Sequence, residues 1–509
     1  MATISELQHY LILFILFFIT TQLLLSIYKK YSRKPTIHHL QLLPSPPALP
    51  VIGHLHYLSL SVHKCFNNLS KYGHLLYLRF GSYQCILVSS ASLATEIFKR
   101  NDLAVSQKPV LNGNSKLFGN SSFLAAPYGD YWRFMKEVCM TELLGTIHLK
   151  RSKSVRHEEL AKFLHKILEK AKEGETVDLG EEVTRFAKNT IIRMAINTKS
   201  DGEAEKVSEL VTGAFELSAK MTLTHMMGPL KMLGFWVYRK RYMDVTGRLD
   251  EFMEKVVKEH EEPSGLENKD LLDILLEVQQ DPTARVKITW NHIKAFLSEL
   301  LIGGIGTTAE TIPWVMAELI NHPEIFKKVR DEIKSIVGST RLVEESDISN
   351  LHYLQAVVKE TMRLHPAAPM IPRKTNKDIR IGGFEIPANT AIAINAYVIM
   401  RDPNSWDKPN EFNPERFMIS STENPNETMS PKIINFLPFG AGRRMCPGKN
   451  LALAVLTTAV AAMVQCFDWK VGGGTDGEKV NMEVGPGITM RMAHPFLCLP
   501  AVHFNPFAA

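Results

Sequence analysis

Apolar residues recur at three- and four-residue spacing through Leu160–Ala171, Glu182–Asn197, Leu249–His260 and Ile293–Ile320. That spacing lays one face of a helix against a core, so most of the chain from about Ala91 to Asn350 is predicted helical. Leu75–Phe80 and Cys85–Ser89, on either side of Gly81, read as a hairpin. Short strands are expected again at Ile379–Ile386 and Ala391–Ala396, followed by a loop-rich stretch from Asp402 to Phe439 and a long helix from beyond Gly448 to about Phe467. Glu261–Lys269 is the most loop-like interior segment and is too short to separate domains. With no internal repeat, the pattern predicts one large domain, mainly α with a small β region.

The pattern changes character at the N-terminus. Leu7–Tyr28 is a nearly uncharged apolar run of membrane-spanning length, followed by Lys29, Lys30, Arg33 and Lys34. A single transmembrane helix with its basic end in the cytosol is the expectation. A cleaved signal peptide fits less well, because the run is too long and lacks a basic start and a small-residue cleavage site. Residues 1–34 are therefore read as anchor and basic flank, 35–53 as a proline-rich hinge and 54–509 as the catalytic domain, cytosolic at the endoplasmic reticulum membrane. Repeated prolines between Leu43 and Gly53 make that hinge a stiff extended connector. On this topology the sequons at Asn68, Asn120 and Asn426 carry no glycan.

Composition narrows the partners. The chain has 509 residues, 45% hydrophobic and 22% charged, with a formal charge of +6. This modest charge, without clustered basic residues and interleaved aromatics, argues against nucleic acid and suits an anionic membrane surface or an acidic protein partner. The six cysteines form no CxxC pair, no disulfide framework and no zinc-ligand spacing.

One cysteine stands apart. Cys446 lies in Phe439-Gly440-Ala441-Gly442-Arg443-Arg444-Met445-Cys446-Pro447-Gly448, just before the last long helix. Glycines there permit tight turns that aim backbone N–H groups at a sulfur, and a helix start just beyond lowers a thiol pKa. Arg444 is suited to pair with a carboxylate of a bound group. The loop resembles the haem loop of the cytochrome P-450 family, Phe-x-x-Gly-x-Arg-x-Cys-x-Gly, at every fixed position: Phe439, Gly442, Arg444, Cys446 and Gly448. The resemblance implies the cytochrome P-450 fold, haem b with Cys446 as axial ligand of its iron, and monooxygenase activity. It extends to Glu360-Thr361-Met362-Arg363 and Pro414-Glu415-Arg416-Phe417, which look like the family's structural charge network of Glu360, Arg363 and Arg416. Tyr131-Trp132-Arg133-Phe134-Met135-Lys136 looks like its third-helix motif, with Trp132 and Lys136 toward one haem propionate; by the same likeness Arg373 serves the other. The match spans the chain, and its style is that of plant microsomal members.

The stretch Leu300–Thr308 resembles the family's oxygen site, Ala/Gly-Gly-x-Asp/Glu-Thr. Gly303 and Gly304 leave room for dioxygen and water, and Thr307 is the expected hydrogen-bond donor to bound oxygen. Gly306 departs from the pattern, standing where the family has an acid, and Pro313 is expected to kink this helix. Three readings stay open: water or substrate hydroxyls relay protons; the enzyme is slow or uncoupled; or it rearranges a preformed peroxide, against which Thr307 argues.

Pocket walls inferred from the resemblance are Val105–Phe123, Leu210–Leu223, Phe296–Thr307, Ala367–Ile371 and Gly487–Met490, largely apolar. They suit a bulky hydrophobic substrate. Tyr128–Gly145, Ala317–Pro323 and Asn505-Pro506-Phe507 resemble a plant clade that oxidises triterpenoids and flavonoids, with a triterpenoid the first expectation. Electrons are expected from NADPH through a membrane-bound flavin reductase docking near Arg443 and Lys449. A haem sensor or electron carrier needs no Thr307, and a structural membrane protein needs no Cys446.

Overall fold

The computed structural model describes residues 10–22, 40, 42–50, 52–59, 61–109, 121–198, 201–226, 231–260, 269–418, 434–472 and 477–507. The main helices are α1 (Val62–Ser70), α2 (Asp130–Val138), α3 (Lys153–Glu173), α4 (Leu179–Ile196), α5 (Asp201–Met226), α6 (Lys231–Glu259), α7 (Leu271–Gln280), α8 (Trp290–Asn321), α9 (Pro323–Val337), α10 (His352–Leu364) and α11 (Lys449–Cys466). All four helices expected from the periodicity are present, each longer than its apolar stripe. Capping decides where several begin. Asp178 accepts from the Gly180 and Glu181 amides at the start of α4, and Asp270 and Asp273 form a reciprocal capping box at α7.

Among the described residues the strands are β1 (Leu75–Phe80), β2 (Tyr83–Val88), β3 (Val177–Asp178), β4 (Met370–Lys374), β5 (Ile379–Ile381), β6 (Phe384–Ile386), β7 (Ala391–Asn395), β8 (Phe467–Val471) and β9 (Leu497–Val502). One sheet runs β1-β2-β7-β4, with β2 and β7 parallel; a second runs β3-β9-β8, and β5 pairs with β6. The stretch 379–386, expected as one strand, is a hairpin turning at Gly382 and Gly383, both at positive φ. The β3-β9-β8 sheet was not anticipated, because β3 is only two residues long and leaves no readable pattern.

Helix α8 is the axis of the core, packing against α4, α5, α7, α9, α10 and α11. It runs unbroken through Pro313, which is buried. The proline-rich stretch differs from a free connector. Tyr77 donates its amide to Pro44 O (2.9 Å), the Ser45 hydroxyl bonds Tyr77 O (2.9 Å), and Leu43 is buried. From Leu43 onward the segment is thus pinned to β1, because its carbonyls supply acceptors that prolines retain.

Of the expected anchor, Tyr10–Gln22 is a short apolar helix; the rest of Leu7–Tyr28 and the basic flank lie outside the described residues. Among the described residues, the helix long and apolar enough to cross a membrane is α11, and it is mostly buried core. The interior loop Glu261–Lys269, apart from Lys269, and the sequons at Asn120 and Asn426 also lie outside the described residues, whereas Asn68 sits exposed on α1.

Candidate functional site

The Cys446 loop folds on itself before α11 begins. The Cys446 amide donates to Phe439 O and the Met445 amide to Gly442 O, each at 3.0 Å. Gly442 has φ +73°, and a Cβ there would lie 2.2 Å from Asp102 Oδ1, so the loop can approach Asp102 only with glycine at this position. Asp102 in turn accepts from the Arg443 amide (3.2 Å), and Arg443 also donates to the Tyr128 hydroxyl (2.9 Å). Cys446 is exposed, whereas the other five cysteines are buried. Enclosure by protein pushes its thiol pKa up, opposed by the Gly448 N–H and by Lys136 and Lys108. The protein packed around the loop outweighs these lowering influences, although the residue keeps an exposed side.

Four cations surround this loop. Arg444 donates to Ser106 O (2.6 Å) and Ala126 O (2.5 Å) and lies 4.3 Å over the Trp132 ring. Arg373 donates to Ala441 O (3.2 Å), and Lys136 to Met445 O (3.2 Å), so Lys136 is half-buried against the loop rather than a surface lysine. Lys108 completes the set and was not anticipated. Burial and then repulsion from Arg373 and Arg444 bring its pKa down to about 8, while Glu299 and Cys446 pull it upward. It therefore stands electrostatically between α8 and the thiol loop. Burial brings Arg373 and Arg444 down to about 10. A crowd of partly desolvated cations beside a thiol fits a ligand that carries carboxylates and accepts sulfur, as haem b does.

The same crowd is tied to α8 through one loop. Glu299 accepts from the Ser122 hydroxyl and the Leu124 amide (3.0 Å), while Ala126 of that loop receives Arg444. Trp132, buried, stacks on Phe123 with ring centroids 5.9 Å apart.

The oxygen-site glycines separate into two kinds. Gly303 and Gly306 are exposed, and an added Cβ at either would meet nothing within 4 Å. At Gly304 a Cβ would meet Ile191 of α4 at 3.2 Å, so this glycine serves helix packing and not, as expected from sequence, the space for oxygen. Thr307 donates its hydroxyl to Gly303 O at 2.6 Å, within its own helix. Glu310, one turn on, accepts from Thr489 (2.8 Å). Its pKa is raised to about 7 by burial, against Thr489 and Arg491.

Glu360, Arg363 and Arg416 come together. Both Arg416 Nε and the Asn413 amide reach Glu360 Oε1 at 3.0 Å, and Glu360 and Arg363 expose nothing. Of the expected pocket walls, 110–120 lies outside the described residues, as do the side chains of 222 and 223.

The family profile described as Cytochrome P450 matches residues 43–499. The chain is 43% identical to "Cytochrome P450 705A22" of Arabidopsis thaliana over 97% of each chain. It is 38% identical to "3,9-dihydroxypterocarpan 6A-monooxygenase" of Glycine max, covering 94% of this chain and 96% of the relative. A zebrafish cytochrome P450 structure with progesterone superposes with a TM-score of 0.74 at 25% identity, covering 87% of this chain and 100% of that one.

Proposed function

The chain belongs to the cytochrome P450 family and is a haem-thiolate monooxygenase; from that premise we propose that it uses NADPH and dioxygen to oxidise a bulky hydrophobic plant metabolite, a triterpenoid first. The observation that carries the reading is the Cys446 loop with Arg444, Arg373, Lys136 and Lys108 gathered about it. When bound, haem activates dioxygen while the Cys446 sulfur donates electron density to it. Trp132, Lys136, Arg373, Arg444 and Lys108 would hold its carboxylates, and Phe439 opens the sulfur loop. Thr307 manages a proton at its hydroxyl beside the space left by Gly303 and Gly306. Glu360, Arg363 and Arg416 keep the thiol side rigid.

Residues 1–34 anchor the protein in the endoplasmic reticulum as a single pass, 35–53 lead into the body, and 54–509 form the cytosolic catalytic domain. A membrane-bound NADPH-dependent flavin reductase docks near exposed Lys449 and half-exposed Arg443, by charge complementarity. Support for a fused-ring substrate comes from the apolar walls, with buried Phe123 and Phe296 in contact, and from the steroid in the zebrafish relative. The soybean relative's name supports a second reading, oxidation of a flavonoid-type skeleton. A peroxide-rearranging isomerase is disfavoured by Thr307.

Microsomes carrying this protein and a plant reductase, given triterpene skeletons, flavanones and pterocarpans with and without NADPH, test the reading by product mass. An NADPH-dependent oxygenated triterpene supports it, products from the flavonoid skeletons alone favour the second reading, and product without NADPH overturns monooxygenation.

A further inference from the structure

Monooxygenation consumes protons as well as electrons, and the residue beside Thr307 that would be expected to supply them is Gly306, which has no side chain. Thr307 cannot make good the deficit alone. Its own hydrogen lies on Gly303 O at 2.6 Å, so toward the open face it offers lone pairs, an acceptor in need of a donor. Glu310 follows Gly306 by four residues and Thr307 by three, which places it on their face of α8 one turn away. Its two oxygens are unequal. Oε1 accepts from the Thr489 hydroxyl at 2.8 Å, whereas Oε2 is enclosed and has no partner among the described residues. An enclosed, unpaired carboxylate oxygen is costly as an anion and is better accommodated as an O–H donor facing an acceptor. A Cβ at Gly306 would touch nothing within 4 Å, so the turn of α8 just before Glu310 leaves open space into which its side chain can turn.

Glu299, the other acid of α8 raised to about 7 by burial, shows the contrast: Ser122 and Leu124 occupy its two oxygens, and it clamps a loop. The charge acting on Glu310 from the facing loop is Arg491, which favours the anion and is outweighed by burial.

We propose that Glu310 is the proton donor of the oxygen site, taking the place of the acid absent at 306; the proposal rests on the monooxygenase reading. The Glu310 side chain turns from its resting place, where Oε2 meets neither Thr307 nor solvent, toward the open space at Gly306; there its O–H breaks and its proton passes to the Thr307 oxygen. The Thr307 O–H swings off Gly303 O and delivers its proton to the oxygen undergoing reduction. The carboxylate left behind regains a proton from bulk water, and no electron moves in this step.

Glu310→Gln in the full chain tests it, because glutamine keeps the size and can still accept from Thr489. With reductase and the triterpene or flavanone that the wild-type protein converts, NADPH consumption should stay within about twofold. Product per NADPH should fall by at least about tenfold, with hydrogen peroxide making up the difference, as befits loss of a general acid. Substrate affinity from the haem absorbance shift should be unchanged, and adding Gly306→Asp should restore coupling. Independently of turnover, infrared titration of the resting protein should show a carboxyl stretch ionising near neutral pH that Glu310→Gln lacks. Unchanged coupling, no such band, or a loss of substrate affinity with coupling intact would each overturn the proposal, the last in favour of a substrate anchor. If the wild-type protein gave no NADPH-dependent product, the functional reading would fail while the infrared arm still judged Glu310.

Discussion

Arg363 holds Glu360 with two parallel bonds, from Nε at 2.7 Å and Nη2 at 2.8 Å, and neither side chain exposes any surface. Arg363 also donates to Met400 O, Pro409 O and Glu411 O, so one guanidinium fastens α10 to the loop that precedes the thiol segment. Glu360→Ala leaves two arginines without their shared carboxylate. It should lower stability by about 3–5 kcal/mol, measured by denaturant unfolding, and reduce haem retention in parallel. Lys328→Ala, at an exposed ion pair with Glu415, should cost less than about 1 kcal/mol in the same assay.

Cys446→Ala should abolish the thiolate-type absorbance of the reduced, carbon monoxide-treated protein while the far-ultraviolet dichroism stays helical. A retained spectrum would remove Cys446 as the ligand. None of the other five cysteines can substitute without rearrangement, since all are buried.

Gly303→Ala and Gly304→Ala should move stability in opposite directions although the residues are adjacent. Alanine gains up to about 1 kcal/mol over glycine inside a helix. At 303 nothing opposes that gain, whereas at 304 the new methyl meets three Ile191 side-chain atoms at 3.2–3.3 Å. Thermal unfolding of the two variants would show a rise for the first and a fall for the second, the fall softened in Gly304→Ala/Ile191→Val.

The difference between these glycines marks where sequence reading stops. The Cys446 loop was legible because its chemistry is local: spacing, glycines and a following helix are all written within ten residues. The four long helices were legible for the same reason, through periodicity. Gly304 was not, because its neighbour Ile191 is more than a hundred residues away in the chain. No local pattern marks Lys108 or Glu299; only folding sets one electrostatically between the helix and the thiol loop and fastens the other to Ser122. Nothing in the sequence marks Glu310; the fold sets Thr489 on one of its oxygens and, among the described residues, no partner on the other.

Stability should also fall with alkalinity through one histidine. His260 bonds Asp270 Oδ2 at 2.9 Å, and that bond raises its pKa to about 9. A base whose folded pKa exceeds its unfolded value of 6.5 contributes fully below pH 6.5, and the contribution disappears as pH rises through 9. His260→Gln should therefore cost about 1.5–3 kcal/mol at pH 6 and almost nothing above pH 10, read from unfolding curves at the two values. A constant difference across that range would place the loss in packing instead.

Helix α11 has a bearing on biosynthesis. It is apolar enough to pass for a membrane span, yet its helical partners α3, α8, α9 and α10 all precede it in the chain. Each has been made before α11 leaves the ribosome, so a receptive surface awaits it and the insertion machinery has little time to capture it. A variant that delays docking of α8 would leave α11 exposed as an apolar segment long enough to enter a bilayer, with the thiol loop beside it and the chain marked for degradation.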